Sequence, residues 1–470
     1  MAMASRRASD ASSAESYTAP QTRLAFTILA TIQATLIFTI ALIMIPLPQI
    51  AAEFELSDAQ ILLLQIAYGL PFSGLLLFGG RLTDRIGGRA VLGAGLVAFG
   101  LASLAAALSD RYDLLLAMRF AQGFSGALIA PASLSVVRTL YSTEAQFGRA
   151  MATWGGVSVL GAVVGFISSG MVASVVDWRW MFAAPIAVSS LGFVANIQLF
   201  PKVAVSDRTL GLDPLGATLA ALGIISLSYG LVASHEAPWT TSQVYMPVAL
   251  GLALVGGFLA AERRIRTPLL PPDFLMSRAR AIGWIGMLLA AAGSMLTEFA
   301  LLVHLQQDRG WTPFDTALSF APFAVALIAT NTAAASIVSK LGAARAMAAG
   351  YVVGAVGLGL LAVLNTHTDY LLLILPAQVL LAIGMALIFS GSAVLATADV
   401  PLGRMGLAGG VMNTAMELGP TVGFTLLMAI AGTQAIQVDG FALAFGAAAI
   451  AYVAAAIGVT ALAKGSGASR

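Results

Sequence analysis

The chain alternates apolar runs of about 20 residues with short polar stretches, and this pattern dominates every other signal. The runs fall near 24–50, 60–80, 89–108, 113–137, 150–174, 179–200, 212–233, 245–261, 281–304, 314–337, 346–364, 370–396, 406–431 and 440–463. Each is long enough to cross the roughly 30 Å hydrocarbon core of a bilayer as a helix. The pattern therefore predicts an all-α integral membrane protein with fourteen transmembrane helices, here helix 1 to helix 14 in chain order. Residues 1–22, rich in Ser and Ala and without an apolar core, are expected to be a disordered tail, neither a signal peptide nor a span.

The polar stretches set the topology. Of the 24 Lys and Arg residues, 20 lie in the tails and even-numbered connections; Arg111, Arg179 and Arg309 lie in odd-numbered ones, and Arg119 lies inside a run. Basic residues collect on the cytoplasmic side, so both termini are expected there, in a cell membrane of bacterial inner-membrane type. The longest connection carries Arg263, Arg264, Arg266, Arg278 and Arg280 with Pro268, Pro271 and Pro272, and reads as a cytoplasmic linker. A weak internal repeat joins the parts on either side. Ala127-Leu128-Ile129 with Ser133 is echoed by Ala386-Leu387-Ile388 with Ser392 at an offset of 259, and Gly161 and Gly165 recur as Gly419 and Gly423. The expected organisation is a six-helix bundle at 23–200, two inserted helices at 201–262, the linker at 263–280, a second six-helix bundle at 281–463 and a tail at 464–470. Duplicated halves imply a central pathway between them, open to each side in turn.

Composition narrows the function. With 59 % hydrophobic and 10 % charged residues this is no ordinary soluble globule, and the net charge of +2 is spread between apolar runs with no basic domain for nucleic acid. No Cys is present, and the three His, at 235, 304 and 367, are scattered, which leaves no thiolate or histidine-rich metal cluster. The only lysines, Lys202, Lys340 and Lys464, lie outside any phosphate-loop pattern. No cofactor and no enzymatic activity are expected. A gradient must then supply work, about 2.3 kcal/mol for each charge moved through 100 mV. The expected partners are a small-molecule substrate, protons and the lipid bilayer, with the protein a monomer.

Three charged residues stand within runs: Arg119, Glu298 and Glu417. A charge at the bilayer centre costs at least about 2.5–3.5 kcal/mol, so such groups face a cavity or a partner. In helix 13, Asn413, Glu417 and Thr421 stand at i, i+4 and i+8, one polar line beside Gly419 and Pro420, where a kink is expected. A carboxyl group so placed is suited to carry a proton. Glu298 has Ser294 one turn earlier, and the small residues 290–293 allow close approach of a neighbour. Candidate cavity residues are Asn413, Thr421, Gln122, Gln65, Tyr68 and Thr39. Thr39 closes a hydroxyl stripe with Thr31 and Thr35.

Between helices 2 and 3 lies Gly79-Gly-Arg-Leu-Thr-Asp84-Arg85-Ile-Gly87-Gly-Arg89, in which Gly79, Gly80, Gly87 and Gly88 are expected to allow a sharp reversal. The ordered pattern Gly80, Leu82, Asp84, Arg85, Gly87, Arg89 resembles the loop between helices 2 and 3 of the major facilitator superfamily. The run Arg119-x-x-Gln122-Gly123 with Pro131 resembles that superfamily's helix 4 motif, with Ser125 and Gly126 at the places of Gly and Ala. The resemblance implies a cytoplasmic gate at Gly80, Asp84, Arg85, Gly87 and Arg89, in which Asp84 caps the 406–410 end of helix 13. It also implies proton coupling at Arg119. The glycine run of helix 5, with Gly161 and Gly165 as packing positions, precedes Trp178-Arg179-Trp180-Met181-Phe182 and resembles the exporter motif of the fourteen-helix drug:proton antiporters. Phe166 stands where that motif has Pro, Pro420 appears at the repeat-related place in helix 13, and Thr39 replaces the acid usual in helix 1. The implied activity is proton-coupled export of drugs or other amphipathic, in part cationic, compounds by alternating access. Proton-coupled metabolite uptake, lipid transport and a non-transporting sensor are the alternatives.

Overall fold

The structure is a computed structural model that describes residues 19–141, 143, 146, 150, 161, 164–165, 168–172, 175–201, 212–234, 236–265, 268–270, 274, 277–400 and 405–467. Among these residues, thirteen helices are long and apolar enough to cross a membrane. Most of the expected helix 5, together with its Gly155-Gly156 pair, lies outside the described residues.

The helices end where the sequence makes them end. Helix 1, Ala19–Leu42, stops short of its expected reach, and the chain restarts as a short outer helix, Leu47–Glu53. Pro46 and Pro48 have no N–H to continue a helix but suit its first turn, so they break one segment and begin the next. Helix 2 is likewise in two parts, Asp58–Ile66 and Gly69–Ile86, opened by a capping box in which Ser57 and Gln60 satisfy each other's backbone N–H.

The expected glycine-rich reversal is narrower than the four glycines suggested. Helix 2 runs on through Gly79 and Gly80 to Ile86, and only Gly87, at φ 103°, makes the turn into helix 3, Gly88–Ala107. Gly79 serves contact instead: a Cβ there would stand 2.0 Å from the Ala127 carbonyl oxygen of helix 4.

Helix 4, Tyr112–Leu140, packs on helices 2 and 3, and helix 3 packs on helix 6, Ala183–Gln198. The same neighbour pattern recurs in the second half. Helix 12, Leu375–Ala396, packs on helix 10, Ala321–Leu341, and on helix 11, Ala343–Leu361, while helix 11 packs on helix 14, Gln437–Gly467. Helices 7, Pro214–Ala233, and 8, Ser242–Glu262, form a hairpin. Helix 7 enters the seam, touching helix 2 of the first half and helix 13 of the second.

Helix 9, Arg278–Val303, is buried for most of its length and packs on helices 12, 13 and 14. Helix 13 runs Met405–Leu418, loosens into a π turn over Gly419–Gly423 that contains Pro420, and resumes as Phe424–Ala431. Proline removes one backbone donor and crowds the preceding turn, which accounts for the widened geometry.

Candidate functional site

Helix 4 crosses helix 2 at the break between its two parts. A Cβ on Gly123 would lie 2.0 Å from the Tyr68 carbonyl oxygen, and one on Gly126 would lie 2.7 Å from the Tyr68 hydroxyl. Glycine at both positions is therefore what lets Tyr68 reach inward at this crossing. The Arg119 guanidinium stands over the Tyr68 ring at 5.2 Å, a cation–π contact.

Arg119 is wholly buried. One nitrogen, Nη1, donates to the Thr39 carbonyl at 3.0 Å and to Gln122 Oε1 at 3.1 Å. Because helix 1 ends at Leu42, its last carbonyls have no helical donor ahead of them, and Arg119 supplies one. Nε and Nη2 have no acceptor among the described residues.

Across the seam, the first part of helix 13, which carries Glu417, packs on the second part of helix 2. Adjacent Gly69 lies against Thr421, where a Cβ would stand 2.6 Å from Thr421 Cγ2. Glu417 is buried and makes no ion pair with any described residue. A base beside Tyr68 in one half and an acid one turn before Thr421 in the other are thus both buried near the break in helix 2, and they form no ion pair with each other.

Glu298 lies apart. Gly419 of helix 13 meets Leu288, Ala291 and Ala292 of helix 9, so the expected small-residue gap is where these helices touch. Both helices run in the same direction, so Glu298 stands roughly 15 Å beyond the level of Glu417, counting about ten residues at 1.5 Å each. It shares a face with Ala291 and Ser294, is partly accessible, and accepts a 2.6 Å hydrogen bond from Ser294 Oγ.

Several expected roles change on this geometry. Gln122 donates to Ser103 Oγ at 2.9 Å while accepting from Arg119, so it holds Arg119 rather than offering a free donor to a cargo. The hydroxyls of Thr31, Thr35 and Thr39 each bond to the carbonyl four residues back, as does Thr421 to Glu417. The stripe is turned onto its own backbone, and at Thr39 the carbonyl is the atom that engages a partner. Gln65 is buried with both amide atoms unpartnered among the described residues, and Asn413 is exposed. Gly161 and Gly165 are close-packing positions, facing Ala34, Phe38 and Ala41 of helix 1.

The expected latch is also different. Asp84 and Arg85 are exposed, and Asp84 makes no hydrogen bond or ion pair with any described residue, so it caps no helix among them. Arg89 stays within its own half, where Nε donates to the Asn196 carbonyl at 2.7 Å and a second nitrogen donates to Ile197. The last carbonyls of helix 6 lack intrahelical donors, and Arg89 provides them. Gly80 faces Pro131, and Gly87 makes the turn. The arginine that leaves its own bundle is Arg81, which donates to the Pro268 carbonyl in the linker.

Gln378 of helix 12 was not anticipated either. It is wholly buried, with both amide atoms unpartnered among the described residues. The repeat offset of 259 carries Arg119 onto Gln378, so the signal was present in the sequence. At the outer end, Arg179 joins Glu53 at 2.6 Å and the Ser109 carbonyl at 2.9 Å, and Trp178 Nε1 donates to Glu53 at 2.7 Å. The Trp-Arg-Trp motif thus fastens helices 1, 3 and 6 together.

This arrangement, two similarly packed helical halves with charges buried near their seam, is that of a membrane transporter, and the comparisons with known proteins agree. The family model described as Major Facilitator Superfamily matches residues 27–423 and, separately, 283–466. The chain belongs to that superfamily: it is a multi-pass membrane transporter and not an enzyme. It is 31 % identical over 388 residues to the puromycin resistance protein pur8 of Streptomyces alboniger, covering 82 % of this chain and 76 % of that protein. It is 30 % identical over 403 residues to the cephamycin export protein CmcT of Amycolatopsis lactamdurans, covering 84 % and 82 %. Among solved structures, the POT family transporter PepTSo aligns over 94 % of this chain and 99 % of its own at a TM-score of 0.68, with 15 % identity, a likeness of fold.

Proposed function

We propose that the protein exports antibiotic-like or other amphipathic compounds across the bacterial cell membrane in exchange for protons, by alternating access between two six-helix halves. Both termini and the linker are cytoplasmic in this reading, and the transporter works as a monomer. The relatives named for antibiotic resistance and export support the cargo class and direction.

The observation that carries the coupling is the placement of Glu417 and Arg119 on opposite halves, both buried close to the break in helix 2 and not paired with each other. A buried carboxylate without a direct counter-ion is costly, and a proton removes that cost. Two donors of Arg119 have no acceptor among the described residues, so the guanidinium has capacity to receive Glu417, or an acceptor on the cargo, as the halves move. In this mechanism a protonated Glu417 lets the halves rest as seen here. Loss of the proton draws the carboxylate towards Arg119 and changes which face is open. Asp84 acts at the cytoplasmic gate in a conformation other than this one, and Glu298 lies on the outer part of the route.

The test is reconstitution into vesicles with an imposed pH gradient and a lipophilic cationic dye, comparing the native protein with Glu417→Gln and Glu298→Gln. Uphill dye movement should stop in Glu417→Gln. Equal accumulation in all three proteins would remove both acids from the coupling step.

A further inference from the structure

The inserted hairpin carries a second pair of buried acids, far from Tyr68. Asp213 precedes helix 7, and Glu262 is the last residue of helix 8, so the hairpin's two ends meet. Asp213 sits at φ 43°, and its Oδ1 caps helix 7 by accepting from the Gly216 N–H at 2.9 Å. Glu262 Oε2 accepts from the Leu270 N–H of the linker at 2.8 Å.

That leaves one oxygen on each carboxyl group, Asp213 Oδ2 and Glu262 Oε1, and neither has a donor among the described residues. Both side chains are more than nine-tenths buried, with relative exposures of 8 % and 2 %. The two oxygens converge on a single point: a Cβ on Gly216 would lie 2.3 Å from Asp213 Oδ2 and 2.9 Å from Glu262 Oε1. The side chains are within hydrogen-bonding reach of each other.

Two ionised carboxyl groups in such contact repel, and burial removes the water that would screen them. The charged groups around them do not resolve this. Arg81 of helix 2 acts on Glu262 only at longer range, its hydrogen bond being given to the Pro268 carbonyl, and Arg263 and Arg264 are exposed at the end of helix 8. Nothing else that is charged faces the pair among the described residues. One proton between the two free oxygens turns repulsion into a hydrogen bond.

We infer that Asp213 and Glu262 form a proton-binding carboxyl pair, separate from the central acid, which in its protonated form holds the linker against the end of the inserted hairpin. The parts it ties together explain why this matters. Helix 7 lies in the seam between the halves, Glu262 holds Leu270, and Arg81, five residues from the end of the helix 2 segment that Tyr68 opens, holds Pro268. Loss of the shared proton as pH rises sets the carboxyls apart and frees the linker. The inserted hairpin is then a sensor of pH at the face that bears the termini.

The native chain contains no cysteine, so a single reporter can be placed without removing others. Leu269, buried in the linker beside Leu270, is replaced in Leu269→Cys, and its alkylation rate is followed from mildly acidic to mildly alkaline pH in detergent. An exposed single cysteine, Asp113→Cys, corrects for the thiolate fraction. With the native acids, the corrected rate should rise about tenfold across the range, one pK-unit equivalent of local opening. In Glu262→Gln the amide supplies a permanent donor to Asp213, and in Asp213→Asn to Glu262, so each should flatten the rise while the protein stays folded. A rise of equal size in both variants overturns the inference. So does suppression of the alkaline rise by sodium or magnesium ions, which would make the occupant a metal cation. The measurement uses neither cargo nor gradient, so its failure leaves the export reading untouched, and failure of export leaves it standing.

Discussion

Glu417 and Glu298 have the same chemistry in the sequence: one acid each, in a long apolar run of the second half. The structure puts them in different circumstances. Glu417 is buried on the part of helix 13 that packs on helix 2 of the other half, one turn before Thr421 at Gly69, and no ion pair with a described residue compensates it. Glu298 is partly accessible and already accepts a short hydrogen bond from a serine of its own helix. A titrating group can drive a movement between halves only if its charge acts differently on the two arrangements. Glu417 faces across the seam and meets that condition; Glu298, served by its own helix, has much less to gain from a change in packing.

The largest effect should therefore follow from Glu417→Gln. One charge moved through 100 mV supports an accumulation ratio of some fiftyfold, and this ratio should collapse to about one, with downhill exchange of cargo persisting. Counterflow and uphill accumulation measured in the same vesicles separate the two. Loss of both would mean that Glu417 holds the fold rather than the coupling.

Next comes the support beneath Tyr68. In Gly123→Ala the new methyl group would meet a backbone oxygen of helix 2 that cannot swing away, since the crossing itself fixes it. Overpacking of this kind costs about 1–3 kcal/mol, seen as a lowered melting temperature together with loss of transport. Gly359→Ala is the control, because nothing lies within 4 Å of a Cβ there, and it should stabilise helix 11 by about 0.5–1 kcal/mol. If both variants melt alike, close approach at Gly123 is not what places Tyr68.

A smaller change is expected at the other acid. Ser294→Ala removes the donor of this hydrogen bond and Glu298→Gln exchanges its acceptor for a neutral carbonyl, weakening a bond worth about 1.5–3 kcal/mol when a charged group takes part. Both should shift the apparent affinity for cargo by about tenfold, with uphill accumulation retained. A collapse of the gradient-driven ratio in Glu298→Gln alone would reverse the comparison and move the coupling step outward.

Much of this was legible in the sequence because lipid enforces simple rules. Apolar length fixed the spans, and the cost of charge in a bilayer singled out Arg119, Glu298 and Glu417. The repeat of a few residues foretold the matching packing of helices 2, 3, 4 and 6 with 10, 11, 12 and 14. What could not be read was direction. A hydroxyl at helical spacing can face a cavity or its own backbone, and Thr31, Thr35 and Thr39 chose the backbone. Three arginines within nine residues look equivalent as charges, yet Arg89 caps helix 6, Arg85 is exposed, and Arg81 alone reaches the linker. Gln378 was visible only by applying the repeat to a residue whose counterpart has different chemistry. Asp213 and Glu262, 49 positions apart, became a pair only once the hairpin folded.

The smallest expected effect concerns a third acid, which shows what a fully compensated charge does. Glu53 lies outside the spans and is bonded by both Arg179 and the indole N–H of Trp178, and the Arg179 hydrogen bond lowers its pKa below the ordinary carboxylate value despite partial burial. A lowered folded-state pKa means that the stabilisation is complete above the ordinary carboxylate range. It is lost as pH falls through the lowered value, when Glu53 takes up a proton that it binds more weakly than the unfolded chain does. The pair is substantially exposed, so screening leaves about 0–1 kcal/mol. Melting in detergent should show a small loss of stability on acidification that Glu53→Gln, which cannot ionise, removes. Transport near neutral pH should be unchanged in that variant, because the clasp joins helices of one half only. A Glu53→Gln protein that melts normally but fails to transport would show that the outer ends of helices 1, 3 and 6 move relative to one another during the cycle, and the first half could then no longer be treated as a rigid partner to Glu417.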